Sequence, residues 1–317
     1  MNNTPILETI DPEVMDRLVS RRDAIRQGAG MSTALATALA FGSVPIALAG
    51  FTKEVFGQAP LTIKEVLDFA FLLENLEAEF YKAVLGESTV AAYNTAFAPV
   101  RALVPAKALA TITQIRTHEV AHVSFLRGQL DTMGGPARVW AAADFDFTGG
   151  NGSQTGPFAR ATTDLQFLLV ATQGFEDTGV RAYKGQAGNL ISNDAVLEAA
   201  LRIHSVEARH AAQIRKIRRE NGASDVVRFS GTIRGGGAAA AGGGNVTPAP
   251  PAEVVAALDL IYAGEDTNNV SGINFGTSLP GVSAGDLTNA ISEAFDEPLT
   301  KEQVVAIVDG FVIPPIP

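Results

Sequence analysis

Cysteine is absent from the 317 residues, tryptophan occurs once, histidine four times, and charged side chains make up only 18%. Without a thiol there is no disulfide framework, thiolate zinc site, cysteine-ligated cluster or cysteine nucleophile. Metal chemistry here has to use imidazole nitrogen and carboxylate oxygen. Basic residues are also few: 24 Lys and Arg stand against 34 Asp and Glu, a net charge of −10. A phosphate backbone needs clustered Lys and Arg, and no basic stripe with interleaved aromatics occurs, so nucleic acid is not expected as a partner. The chain is 46% hydrophobic, with ample length to bury a core as one large domain or two ordinary ones.

Charge is missing altogether from the 26 residues Gln27 to Thr52, directly after Arg21, Arg22 and Arg26. That run is long enough to cross a bilayer, and the small-residue site Ala47-Leu48-Ala49 precedes Gly50. Residues 1–50 read as an export signal, or as a membrane anchor if uncleaved, and stand outside the fold of the remainder. The Arg pair resembles a twin-arginine signal: Ile25 and Arg26 fit its pattern, while Ala24 stands where a bulkier residue is usual. Such a route exports folded, cofactor-loaded proteins. The resemblance therefore implies a periplasmic or extracytoplasmic metalloprotein loaded before export.

Four stretches show apolar residues at helical spacing. The first opens on a capping box, Thr62 with Glu65, and runs to about Leu85. The second runs from near Pro105 to Met133, where Gly134-Gly135-Pro136 stops it. The third spans about Thr163 to Lys184 and is expected to end at Gly185. The fourth starts at Asn193 or Asp194, and Arg215, Lys216, Arg218 and Arg219 complement its C-terminal dipole before Gly222. About nine residues join helices three and four, whereas Gly134 to Ala161 forms a crossover of nearly thirty. One long crossover in the middle of four helices is the connectivity of ferritin-like bundles. The fold expected for residues 60–222 is thus an all-α four-helix bundle with one long crossover. Within that crossover Asp144-Phe145-Asp146-Phe147 reads as a short extended piece.

Residues 230–252 then form a Gly/Ala/Pro linker, and 253–317 a small, mostly helical acidic extension. Helical stretches are expected near Glu253–Tyr262, Asp286–Phe295 and after Thr300, which forms a capping box with Gln303. From Gly231 onward ten acidic residues face two basic ones, so most of the net charge lies here. The extension is expected to fold onto the bundle as a solvated cap, with a partner-docking element as the alternative.

Helix two carries Glu119-Val120-Ala121-His122 and helix four Glu207-Ala208-Arg209-His210. Each Glu-x-x-His puts a carboxylate and an imidazole on one helix face, within reach of one metal ion. Helices one and three each contribute a Glu followed seven positions later by a Tyr: Glu74 with Tyr81, and Glu176 with Tyr183. A half-bundle is repeated twice. Four carboxylates balance two divalent cations and two neutral imidazoles cap the ends, a donor set suited to iron or manganese. Glu77 and Glu79 are alternatives to Glu74. Tyr81 and Tyr183 are expected to hydrogen-bond ligand carboxylates, and His118 and His204 to sit behind the ligands or at the surface.

With these motifs in place, residues 60–222 resemble the ferritin-like superfamily, and within it the exported group that includes desiccation-related proteins. Leu73-Glu74-Asn75-Leu76-Glu77-Ala78-Glu79-Phe80-Tyr81 is similar to that group's first-helix motif, and Phe295-Asp296-Glu297-Pro298-Leu299-Thr300 to its C-terminal motif. The resemblance implies a dinuclear site of Glu74, Glu119, His122, Glu176, Glu207 and His210, with Glu119 and Glu207 bridging. It implies an oxidase, ferroxidase or stress-protective reaction with dioxygen or peroxide. Two other readings stay open: a membrane-anchored accessory subunit of a larger membrane complex, and a zinc hydrolase, because His118-Glu119-Val120-Ala121-His122 matches H-E-x-x-H. A storage cage is disfavoured by the long linker and the appended extension, which would obstruct close-packed shell assembly.

Overall fold

Local capping sets where the bundle helices begin. In the computed structural model, which describes residues 61–223, 252–264, 269–270, 273–274, 276, 287 and 296–316, α1 spans Ile63–Leu85. Thr62 Oγ1 accepts from the Glu65 amide while the Glu65 carboxylate accepts from the Thr62 amide at 2.8 Å, satisfying two donors that a helix start leaves free. Gly86 then ends the helix at φ 82°, a left-handed conformation that glycine adopts without strain. Two short helices absent from the sequence reading, α2 (Ala91–Ala96) and α3 (Ala98–Arg101), lead to α4 (Ala106–Asp131), with Pro105 at its N-cap. Asp164 caps α5 (Leu165–Gln186), and Asn193 caps α6 (Asp194–Glu220).

Helices α1 and α4 pack as one pair and α5 and α6 as the other, with the long connection of residues 132–164 between them. The fold of the described residues is mostly helical, as expected. Along α4 the buried positions are 108, 112, 115, 119, 122, 126 and 130; along α6 they include 196, 200, 203, 207, 210, 214 and 217. These alternating steps of three and four make one stripe per helix, and both stripes run in the same register. Glu and His occupy the middle of each.

Helix α5 does not stop at Gly185, contrary to the sequence expectation. It continues to Gln186 because that glycine provides close approach: a Cβ there would overlap the carbonyl oxygen of Leu299. The C-terminal motif docks at this point. Leu299 N donates to Arg181 O at 3.2 Å, Arg181 Nε donates to Glu297 O at 2.6 Å, and the Lys184 ammonium donates to Asp296 O. The buried Arg181 guanidinium also donates to the carbonyls of Ile261 and Ala263, at the end of α7 (Ala252–Ile261). Helix α8 (Lys301–Val308) opens on the expected capping box of Thr300 and Gln303 and packs on α5. Leu299, Val304, Ile307, Val308 and Phe311 are buried in the common core. The described part of the extension thus covers α5 along Ala171 to Gly185, while Phe158 and Arg160 of the crossover pack on Phe167.

The extended piece in the crossover has a physical role: Phe145 bridges Val312, and Asp146 N donates to Phe311 O at 2.9 Å. Fully buried Asp146 accepts from the amides of Thr148, Gly152 and Gln154, which closes the loop on itself. Strands β1 (Asn269–Val270) and β2 (Ile273–Asn274) pair antiparallel. The expected N-terminal signal or anchor, the linker from 230 and most of the helix near Asp286–Phe295 lie outside the described residues. Among those described, no helix is long and apolar enough to cross a membrane.

Candidate metal centre

The stripes of α4 and α6 bring carboxylates into a place where apolar side chains would otherwise pack. Glu119, Glu176 and Glu207 are completely buried, Glu74 is 1% exposed and His210 3%, while His122, at 9%, marks the side nearest solvent. The donor atoms fall into two groups, each within 4.8 Å: Glu74, Glu119, His122 and Glu207, then Glu119, Glu176, Glu207 and His210. Glu119 and Glu207 belong to both. The structure therefore brings together all six residues singled out in the sequence, one Glu from each of α1 and α5 and one Glu-x-x-His pair from each of α4 and α6.

Distances show the convergence. His122 Nδ1 lies 3.0 Å from Glu74 Oε2, 3.2 Å from Glu119 Oε2 and 3.2 Å from Glu207 Oε1. His210 Nδ1 lies 2.8 Å from Glu119 Oε1, 3.3 Å from Glu176 Oε2 and 3.8 Å from Glu207 Oε2. Even so, His210 Nδ1, Glu119 Oε1, Glu176 Oε2 and both oxygens of Glu207 form no hydrogen bond of acceptable geometry, although all are buried. Leaving buried polar atoms unpaired is costly, and so many in one place indicate atoms aimed at common points rather than at each other.

The electrostatics carry the same message. Burial, then the facing Glu207 carboxylate, pushes Glu119 well above the usual carboxylate range; burial raises Glu176 to about 7. Burial acts against the charged forms of His122 and His210, but the surrounding carboxylates outweigh it and push both up to about 12. Burial would also raise Glu207, yet the two facing imidazoles hold it down to about 2. Without metal, protons neutralise the cluster.

The tyrosines cross over between halves. Tyr81 on α1 donates to Glu176 on α5, and Tyr183 on α5 donates to Glu74 on α1 at 2.5 Å. Burial, with the neighbouring carboxylates, raises both phenols well above their ordinary value, so they remain donors. The seven-residue spacing put each Tyr on its Glu's helix face but could not show that it serves the opposite Glu.

Glu74 is the α1 residue facing His122, whereas Glu79 pairs with Lys82 at 2.7 Å. Glu77 is a fifth buried carboxylate, pushed well above the usual range by burial and then by Glu207. Its three-residue offset from Glu74 was the available signal. The matching position in α5 is Gly179, where a Cβ would stand 3.3 Å from Glu207 Oε2 and 3.4 Å from Glu77 Oε1. His118 belongs to neither group. Its Nδ1 lies 2.9 Å from His210 Nε2, on the far side of that ring, and its Nε2 lies 2.8 Å from Gln114. The zinc-hydrolase reading needs His118 and His122 on one ion, and His118 shares neither group of donors with His122. His204 also lies outside both groups.

The chemistry of the donor set fits a pair of hard or borderline cations: four carboxylates supply −4, two of them are shared, and imidazole terminates each end. No curated protein and no solved structure matches the chain. A family profile described as a ferritin-like domain matches residues 63–220, from the first residue of α1 to the last of α6. That profile, together with the paired helices and the long crossover, supports a ferritin-like domain at residues 63–220.

Proposed function

We propose that the chain is an exported protein whose bundle holds two iron or manganese ions and reacts with dioxygen or peroxide, as an oxidase, a ferroxidase or in stress protection. The observation that carries this reading is the convergence of buried carboxylate oxygens and imidazole nitrogens in two four-residue groups that share Glu119 and Glu207. Glu74 and His122 would hold one ion, Glu176 and His210 the other, with Glu119 and Glu207 between them. Such a pair supplies two electrons, enough to take dioxygen and two protons to hydrogen peroxide, or hydrogen peroxide and two protons to two waters.

The protein's own residues fix the rest. Tyr81 and Tyr183 orient Glu176 and Glu74 by donating to the oxygen that does not face the cluster, and His118 holds the ring of His210 from behind. Export through the twin-arginine-type N-terminus, with retention as a membrane anchor if it is uncleaved, is part of the same proposal and rests on the sequence of residues 1–50.

The test is a ferrous titration of metal-free protein in air. Ultraviolet absorbance of the oxidised pair should saturate at two ions per chain in the wild type and not develop in the Glu119→Ala/Glu207→Ala double variant. Equal absorbance in both would refute the assignment.

A further inference from the structure

The two halves of the bundle serve as controls for each other. Glu74 and Tyr81 of α1 correspond to Glu176 and Tyr183 of α5, and Glu119 and His122 of α4 to Glu207 and His210 of α6. The same register pairs Phe80 with Ala182, Phe175 with Leu73, and Ile112 with Ala200. At the Glu176 end the large members fill the layer beside Tyr81: Phe80, Phe175 and Ile112 are buried, and the Phe80 and Phe175 rings lie 4.9 Å apart. At the Glu74 end the small members leave a cavity of about 30 Å³ lined by Leu73, Ala182 and Ala200 among others.

That cavity lies one layer from the candidate metal centre. Its lining includes Ala70, Leu126 and Ile203, each four residues from Glu74, His122 and Glu207 respectively, and Tyr183, whose hydroxyl is bonded to Glu74. Phe125, 41% exposed, marks its outer side. Apart from Tyr183 and Gln186, every lining side chain is hydrocarbon. The volume exceeds the roughly 10–15 Å³ that one water-sized molecule needs, and the lining offers water few hydrogen-bond partners.

We propose that this cavity is the entry site for a small apolar gas, dioxygen, to the Glu74–His122 side of the centre, so that the two ends of a nearly symmetric site are unequal. Hydrogen peroxide would lose hydrogen bonds in such a lining and is excluded from this route. The proposal rests on the reading of the six residues as a two-metal site, but the cavity can be tested without metal.

The experiment uses the full chain under xenon pressure, read by ¹²⁹Xe chemical shift and by anomalous scattering in crystals. Xenon should occupy the cavity in the wild type and be excluded from Ala200→Ile, which copies Ile112 of the other half. In iron-loaded protein, Ala200→Ile should slow oxidation by dioxygen by about fivefold or more and oxidation by hydrogen peroxide less than about twofold. Ala200→Val should give a smaller effect in the same direction, which keeps the test decisive if the larger variant does not fold. No xenon in the wild-type cavity, or equal slowing of both oxidants, overturns the proposal. Xenon binding in a protein that takes up no metal would leave the cavity in place and refute the metal reading instead.

Discussion

Loading the centre should expel protons, and the structure says how many. At pH 7 the metal-free cluster holds one on His122 and one on His210, both pushed up to about 12, and about half of one on Glu176, whose value is about 7; burial pushes Glu119 well above the usual carboxylate range as well. Two divalent ions held by both imidazoles and the facing carboxylates must displace these, so at least two protons should leave per pair of ions. The product of the two binding constants should then rise at least about a hundredfold per pH unit near neutrality, about 3 kcal/mol at 1.36 kcal/mol per proton per unit. Calorimetric titration with ferrous or manganous ion in buffers of different ionisation enthalpy counts the protons directly. Solvated surface carboxylates are already ionised at pH 7 and would release almost none. A count near zero with two ions bound would refute the reasoning from burial.

The same shifts set the pH dependence of metal-free stability. Glu176 is raised from 4.5 to about 7, and His122 and His210 from 6.5 to about 12, so the native state holds more protons than the unfolded one across these windows. Their stabilisation is full below the unfolded values and is lost as pH rises; Glu207, held down to about 2, instead loses its contribution as pH falls below 4.5. Thermal melts of metal-free protein should therefore show a falling midpoint from about pH 5 to pH 9, and metal should raise the midpoint more at the alkaline end. His118→Ala removes the group behind His210 and should weaken metal binding about 10- to 100-fold, whereas His204→Ala should leave the stoichiometry unchanged, both measured by equilibrium dialysis. Gly185→Ala forces the C-terminal segment away from α5 and should cost about 1–3 kcal/mol in denaturant unfolding, with faster proteolysis after Gly222. Unchanged stability there would show that the docking seen at Leu299 is dispensable.

The features legible in sequence are those set by short-range rules. Thr62 with Glu65, Asn193, and Thr300 with Gln303 announced their helix starts because a cap is chosen by its own backbone. The six converging residues were legible because steps of three and four fix which side chains share a face, and because the pattern occurs twice. What depended on a neighbour was hidden. Gly185 looked like a helix stop, but its reason is a carbonyl more than a hundred residues away in the chain. The partners of Tyr81 and Tyr183 lie across the bundle, and Arg181 anchors the ends of segments that sequence alone leaves separate. The asymmetry of Phe80 with Ala182 was written in the repeat, but it acquires meaning only when the layers are stacked beside the centre.

The proposed function stands on the four carboxylates and two imidazoles that converge in the bundle, and on their holding two metal ions. Elemental analysis of the protein purified from its own host tests it most directly. Two iron or manganese ions per chain are expected; a metal-free protein, or a single zinc ion per chain, would overturn the assignment.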